Sequence, residues 1–234
     1  MTIEYDGTGF FGWQYQPSKR TVQGELQVAL RKITGADTKL TGAGRTDQGV
    51  HALGQVANFH TESQLPLHAL RRGINSLVGD DLRVKDVNVV ADDFNSRFSA
   101  KTKIYHYHIT LEPSPFRLRY YWYLKHTPDV GKMQKVIPSL TGQKDFKNFS
   151  VSNGSDSTVC EVVALSLGQE ENQIVIKIEG NRFLRKMVRG IVGFMVDTGR
   201  GRFSTDDVEG YFENAERDIN FAPPQGLFLV AVKY

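Results

Sequence analysis

Apolar residues recur along the chain with two periods, and the alternation of those periods divides it into two similar halves. Val22, Leu26, Ala29, Leu30 and Ile33 follow helical spacing; Thr21 stands ahead of them as a cap and Gly35 follows as a stop. Leu67, Leu70, Ile74 and Leu77 predict a second helix with one apolar face, opened by Pro66. Short runs at 2–5, 39–41, 50–60 and 82–90 read as strands. The resulting order, β-α-β-β-α-β, is the ferredoxin-like split unit.

The second half predicts the same order. Residues 103–111 read as a strand with Tyr105, Tyr107 and Ile109 on one side, followed by turns at Pro113, Pro115 and Pro128. Val130, Met133, Ile137 and Leu140 give a helix in which Pro138 sits late. Residues 159–167 and 173–179 pair across a polar turn, 183–196 predict a helix, and 227–232 a closing strand. Ser204 and Asp207 have capping-box spacing for a short extra helix. The Ser-, Asn-, Gly- and Asp-rich stretch 150–158 reads as a flexible loop. The fold class expected is α+β, an α/β sandwich of two ferredoxin-like (RRM-like) halves, 1–99 and 100–234, the first carrying the Asp47 loop and the second the basic helix.

Composition narrows the setting. With 234 residues, 40% hydrophobic and 24% charged, the chain can bury a core without disulfides or structural metal. Cys160 is the single cysteine, so no intrachain disulfide forms, and a reducing, cytoplasmic setting is expected. The N-terminal residues lack the basic and apolar regions of a signal peptide, and no apolar run approaches the ~20 residues of a membrane helix. Net charge is +3 and the sequence pI about 8.9, which permits an anionic partner without requiring one.

Three segments carry candidate chemistry. In 42–51, three glycines allow close backbone approach, and Arg45 and Asp47 stand two apart, where an extended chain points both the same way. An arginine there would hold the carboxylate ionised and aimed, as a nucleophile or base requires; a hairpin turn tied by a surface Arg–Asp pair fits the same letters. The Gly-Lys-Ser/Thr ending of a P-loop is missing. Along the helix expected at 183–196 and the residues just before it, Arg182, Arg185, Lys186 and Arg189 fall within an arc of about 100°, a phosphate rail or a solvated face. In 97–107, Arg97, Lys101 and Lys103 interleave with aromatics, as single-stranded RNA binding or an amphipathic strand would have it. His106 and His108 share a strand face, but no third ligand is near in sequence, so no metal site is expected.

Taken in order, these segments resemble the TruA family of tRNA pseudouridine synthases. The stretches that carry the resemblance are Glu4-Tyr5-Asp6-Gly7-Thr8, Gly12-Trp13-Gln14, Gly44-Arg45-Thr46-Asp47-Gln48-Gly49-Val50-His51-Ala52 with Gly54-Gln55-Val56, Phe94-Asn95-Ser96-Arg97-Phe98-Ser99-Ala100, Lys103-Ile104-Tyr105-His106-Tyr107, Phe183-Leu184 with Met187-Val188-Arg189, and Pro224-Gln225-Gly226-Leu227-Phe228. Members commonly carry a few more residues ahead of the first strand than this chain's Met1-Thr2-Ile3, so either a trimmed start or a missing strand end is expected.

The resemblance implies a pseudouridine synthase fold with one continuous, mainly antiparallel sheet and an active cleft between the halves. It implies Asp47 as the catalytic aspartate, Arg45 as a residue that helps extrude the target nucleotide, and Tyr105 packed on the flipped uracil. Arg189 would hold Asp47 ionised and Leu227 would line the base pocket, while Arg97, Lys101, Lys103, Arg182, Arg185 and Lys186 supply RNA contacts. It implies no metal or organic cofactor, a tRNA substrate modified at positions 38–40 of the anticodon stem-loop, a homodimer, and no membrane. Two other readings compete. A non-catalytic RNA-binding protein of two RRM-like halves would need RNP motifs, of which Tyr105-His106-Tyr107 is a faint echo. A glycoside-type hydrolase would need a second carboxylate about 5 Å from Asp47.

Overall fold

A computed structural model describes residues 1–152, 157–213 and 218–234, arranged in two compact units: Met1–Lys101 with Phe228–Tyr234, and Thr102–Leu227. The first unit begins with β1 (Thr2–Tyr5), α1 (Val22–Thr34), β2 (Thr41–Gly42), β3 (His51–Asn58), α2 (Leu67–Leu77) and β4 (Leu82–Asp86). The order is the one expected. β1 lies between β3 and β4, antiparallel to both, and β2 pairs antiparallel with the far end of β3.

Local chemistry sets these boundaries. The Thr21 hydroxyl accepts from Gly24 N–H at 3.2 Å at the start of α1, and Gly35 ends it at φ +74°. Val22, Leu26, Ala29 and Leu30 are buried with Ile3, Tyr5 and Val84. On α2 only Leu70 and Ile74, the middle of the apolar stripe, are buried; Leu67 and Leu77 at its ends are exposed, against expectation. β4 stops at Asp86 rather than 90 because the Asp86 carboxylate takes Val87 N–H and the Asn88 side-chain amide at 2.9 and 2.7 Å, turning the chain off the ladder.

The second unit contains β5 (Thr102–Thr110), β6 (Trp122–Tyr123), α3 (Val130–Lys135), α4 (Ile137–Leu140), β7 (Gly142–Asp145), β8 (Val159–Glu170), β9 (Gln173–Gly180), α5 (Met187–Gly199) and α6 (Gly210–Glu213). Its sheet runs β5-β9-β8-β7, antiparallel throughout, with β6 parallel against β5. Tyr105, Tyr107 and Ile109 share the buried face of β5, as their alternation predicts. The helix expected to contain Pro138 is split at Val136 into α3 and α4, so the proline falls in a first turn, where its missing N–H leaves no helical bond unmade. Residues 153–156 of the expected loop lie outside the described residues.

Two expectations fail in this unit. The helix foreseen at 183–196 begins only at Met187. Asn181 Oδ1 accepts the N–H groups of Arg182 and Glu161 at 2.6 and 3.0 Å, and Lys186 sits at φ +62°. These hold 181–186 as a turn, so the basic helical face does not exist and only Arg189 stands on the helix. α5 has no solvated face: Arg189 is its one residue that is not buried. Backbone comes so close at Gly190 and Gly193 that an added Cβ would strike the Phe149 and Asn220 carbonyl oxygens. The Ser204 hydroxyl, expected to cap a helix, accepts Asp206 N–H at 3.2 Å in a bend, and α6 starts only at Gly210.

The last strand, β10 (Leu227–Lys233), belongs to the first unit from Phe228 onward and runs parallel to β3, with Phe228 opposite His51 and Leu229 opposite Ala52. Its end is fastened by Lys101 N–H to Lys233 O at 2.8 Å and by the Tyr234 hydroxyl to Ser96 O at 2.9 Å. No helix among the described residues is long and apolar enough to cross a membrane.

Candidate active site

Asp47 lies in the connection from β2 to β3, half-buried, between buried Thr46 and exposed Gln48. That connection is held from behind by residues distant in sequence. Trp13 N–H donates to Thr46 O at 3.1 Å, and the Tyr5 hydroxyl and Thr46 Oγ1 are 2.8 Å apart in a buried pair. Gln55 Nε2 donates to Gly44 O at 2.8 Å, Ala43 N–H to Val56 O at 2.8 Å, and Val50 N–H closes a turn on Asp47 O at 3.2 Å. Gly12, at φ +83°, lies so close that an added Cβ would stand 2.6 Å from Thr46 O and 3.1 Å from the Asp47 carbonyl carbon. At Gly7 the Val50 carbonyl fills the same space. The chain before α1 therefore forms a bed for the Asp47 segment, and its glycines are where the two backbones touch.

Burial pushes the Tyr5 phenol up to about 12, against the lowering pull of its hydrogen bonds to Thr46 and Gln55, so it stays protonated. The expected Arg45–Asp47 pair is absent: Arg45 is exposed and, among the described residues, makes no ion pair. The loop is thus neither tied nor aimed by Arg45. Its geometry comes from Tyr5, Gly12, Trp13 and Gln55. The sequence marked the glycines as loop formers but gave no sign of which segment they receive.

The second unit gathers the other candidates around Tyr107. The Tyr107 hydroxyl donates to Pro223 O at 2.7 Å; burial raises its phenol well above the ordinary value, and the charge of Arg189 lowers it in part. Arg189 Nε–H donates to Ala222 O at 2.6 Å, while Ala222 N–H donates back to Arg189 O at 3.0 Å, so backbone fixes this guanidinium at its root. A Cβ on Gly226, the residue before the buried Leu227, would meet the Tyr107 ring at 2.8 Å and His108 O at 2.7 Å. Tyr105, two residues before Tyr107 on the same strand face, is buried and meets Phe183 edge-on, with centroids 5.2 Å apart and planes at 84°. Tyr105, Arg189 and Leu227 thus form one neighbourhood, with Tyr107 as an unforeseen hub.

The remaining basic candidates are dispersed. Arg97 is exposed and lies over the ring of Phe98, itself 77% exposed, at 5.2 Å. Lys101 is exposed, but Lys103 is buried on the Tyr105 face, so it is not a solvated phosphate contact. Arg182 donates to Ser157 O at 2.7 Å, Arg185 is exposed, and Lys186 lies 5.6 Å from the Phe221 ring centroid. The rings of His106 and His108 are 6.3 Å apart, and no cluster of three His, Cys, Asp or Glu suited to a metal occurs among the described residues.

Comparison with known proteins places this geometry in context. Residues 1–99 and 136–234 match the sequence profile of a family described as tRNA pseudouridine synthase. The whole chain aligns with proteins named tRNA pseudouridine synthase A: 43% identical to that of Caldicellulosiruptor saccharolyticus, covering 98% of it, and 41% identical to that of Thermoanaerobacter sp. strain X514, again covering 98%. The protein of the same name from Citrifermentans bemidjiense is 40% identical, with 96% of its length covered. Among solved structures, a chain of a Cbf5-Nop10-Gar1 complex aligns at 11% identity and a TM-score of 0.35, over 82% of this chain and 52% of that one.

Proposed function

The chain belongs to the tRNA pseudouridine synthase family, and from that premise we propose that Asp47 is the carboxylate with which it converts uridine to pseudouridine in tRNA. The reaction breaks the N1–C1′ bond, turns the uracil and joins C5 to C1′. The C5 proton leaves and N1 gains one, so atoms and electrons balance without a co-reactant. The target base must leave its stack for the glycosidic bond to be reached. An ionised carboxylate on a rigid loop serves as nucleophile or base in such a step.

The observation that carries this reading is the clamping of the Asp47 segment by Tyr5, Gly12 and Trp13. A carboxylate that must meet one atom of an extruded nucleotide needs a fixed backbone, and an ordinary surface turn does not. In the same reading Tyr105 packs on the uracil, Leu227 lines its pocket, Arg189 keeps Asp47 ionised and Arg45, exposed beside it, helps extrude the base. Arg97, Lys101, Arg182, Arg185 and Lys186 hold phosphates.

The tRNA site is the anticodon stem-loop, the enzyme a cytoplasmic homodimer; the family resemblance supports each of these. The test is to incubate an unmodified tRNA transcript with the protein and map pseudouridine by carbodiimide-blocked primer extension. Stops in the 3′ side of the anticodon arm are expected. Stops confined to another arm would overturn the site assignment, and none at all the activity.

A further inference from the structure

We propose that the groove between α2 and the edge strand β4 is a second RNA-backbone surface, which holds tRNA phosphates apart from the catalytic loop; the proposal rests on the tRNA reading above. The groove has a volume of about 530 Å³ and is lined from the helix by Arg71, Arg72 and Asn75, and from the strands by Glu4, Arg83 and Lys85.

Its construction follows from α2. The apolar stripe Leu67, Leu70, Ile74 and Leu77 is opposed by a polar one, His68, Arg71, Arg72 and Asn75, at i, i+3, i+4, i+7 spacing. Asn75 pins this stripe to the outer edge of β4: its Nδ2 donates to Val84 O at 2.9 Å and its Oδ1 accepts Val84 N–H at 2.8 Å. Arg71 adds a bond to Lys85 O at 3.1 Å. The carboxamide occupies the backbone groups that another strand would need, so this edge is closed to strand addition. It is left displaying cations instead.

Among the described residues, only Lys85 of the lining cations has a carboxylate partner. Glu4 lies 3.5 Å from Lys85, and among the described residues Arg72 and Arg83, both exposed, make no ion pair. Such solvated guanidiniums bind a lone phosphate weakly. Summed along a polyanion, the same contacts are worth having, because each phosphate neutralised releases counterions. The planar, bidentate guanidinium suits phosphate oxygens. The groove is two strands from β3 in the order β4-β1-β3, about 10 Å across the sheet at the usual strand spacing. One folded RNA reaches both that groove and the loop leading into β3.

The test compares full-length wild type with Arg72→Gln/Arg83→Gln, measuring tRNA affinity by filter binding from 50 to 200 mM NaCl and turnover at saturating tRNA. The double variant is expected to bind more weakly at low salt. The slope of log affinity against log salt should fall by about 0.7–0.9 for each lost contact, with kcat unchanged. Arg72→Lys/Arg83→Lys should restore the slope. If the glutamine pair lowers the melting temperature, the single variants are read, each expected to lose half the effect. Wild-type binding and turnover matched by the variants in affinity and slope would overturn the groove alone. A wild type that neither binds nor modifies tRNA would overturn both readings.

Discussion

The Tyr5 hydroxyl lies 2.8 Å from Oγ1 of Thr46, the residue just before Asp47, and both side chains are buried. A residue of the first strand thereby fixes the neighbour of the proposed catalytic carboxylate across 41 residues of sequence. The link is neutral, so it orients the Asp47 backbone without adding a charge beside it.

Tyr5→Phe keeps the ring and strands the Thr46 hydroxyl. A buried hydroxyl without a partner costs about 1–3 kcal/mol, so a lower urea midpoint and a reduced kcat with little change in tRNA affinity are expected. The pH dependence has a definite sign. The folded phenol, at about 12, lies above the unfolded value of 10.0. Its contribution to stability is therefore complete below pH 10 and lost as pH rises toward 12. The gap is worth on the order of 3 kcal/mol, at about 1.36 kcal/mol for each pH unit. Chemical denaturation at pH 9 and pH 12 should show a steeper alkaline loss in wild type than in the phenylalanine variant. Equal losses would contradict it.

Gly12→Ala and Gly35→Ala separate backbone strain from loop displacement. Both glycines have positive φ, +83° and +74°, but only Gly12 faces the Asp47 segment; nothing lies within 4 Å of a Cβ at Gly35. Each substitution should cost about 1–2 kcal/mol for the left-handed conformation. Only Gly12→Ala should also cut kcat, by about a hundredfold for an ångström-scale shift of the carboxylate. Steady-state turnover on tRNA at a temperature where both variants are folded decides between them.

Arg189→Ala and Arg189→Lys are both expected to lower kcat by about two orders of magnitude while leaving the tRNA Kd within a few-fold. Lysine is no substitute, because one ammonium cannot reproduce both the Nε–H bond to Ala222 O and the planar fork of the guanidinium. Single-turnover rates and equilibrium binding, measured on the same preparations, distinguish this from a phosphate contact, which would raise Kd and spare kcat.

The parts of this fold that could be read from the sequence are those where one local rule acts alone. Thr21 and Gly35 bracket α1 by capping chemistry, the Tyr105–Tyr107–Ile109 alternation marks the buried face of β5, and the Asp47 segment shows itself by its glycines. The basic helical face fails because Arg182, Arg185, Lys186 and Arg189 fit a 3.6-residue period whether or not the chain is helical. The hydrogen bonds of Asn181 to Arg182 and to Glu161, a residue 20 positions away, decide the matter. Long-range pairings were equally silent. Nothing in 227–233 announces a parallel partner in β3, and nothing in Gly12-Trp13 names Thr46 as its neighbour. Arg45, expected to orient Asp47, stands exposed, and the groove cations Arg72 and Arg83 carry no local signal because their meaning depends on where Asn75 anchors α2.

The most direct test of the central claim uses unmodified tRNA carrying tritium at uracil C5, with wild type and Asp47→Asn compared side by side. Joining C5 to C1′ must release that tritium to water. The account predicts release by wild type, none above background by the variant, and tRNA binding by both with similar affinity. Release by Asp47→Asn at the wild-type rate would remove Asp47 from the chemistry, and binding without release by either protein would contradict the assignment of catalysis to this chain.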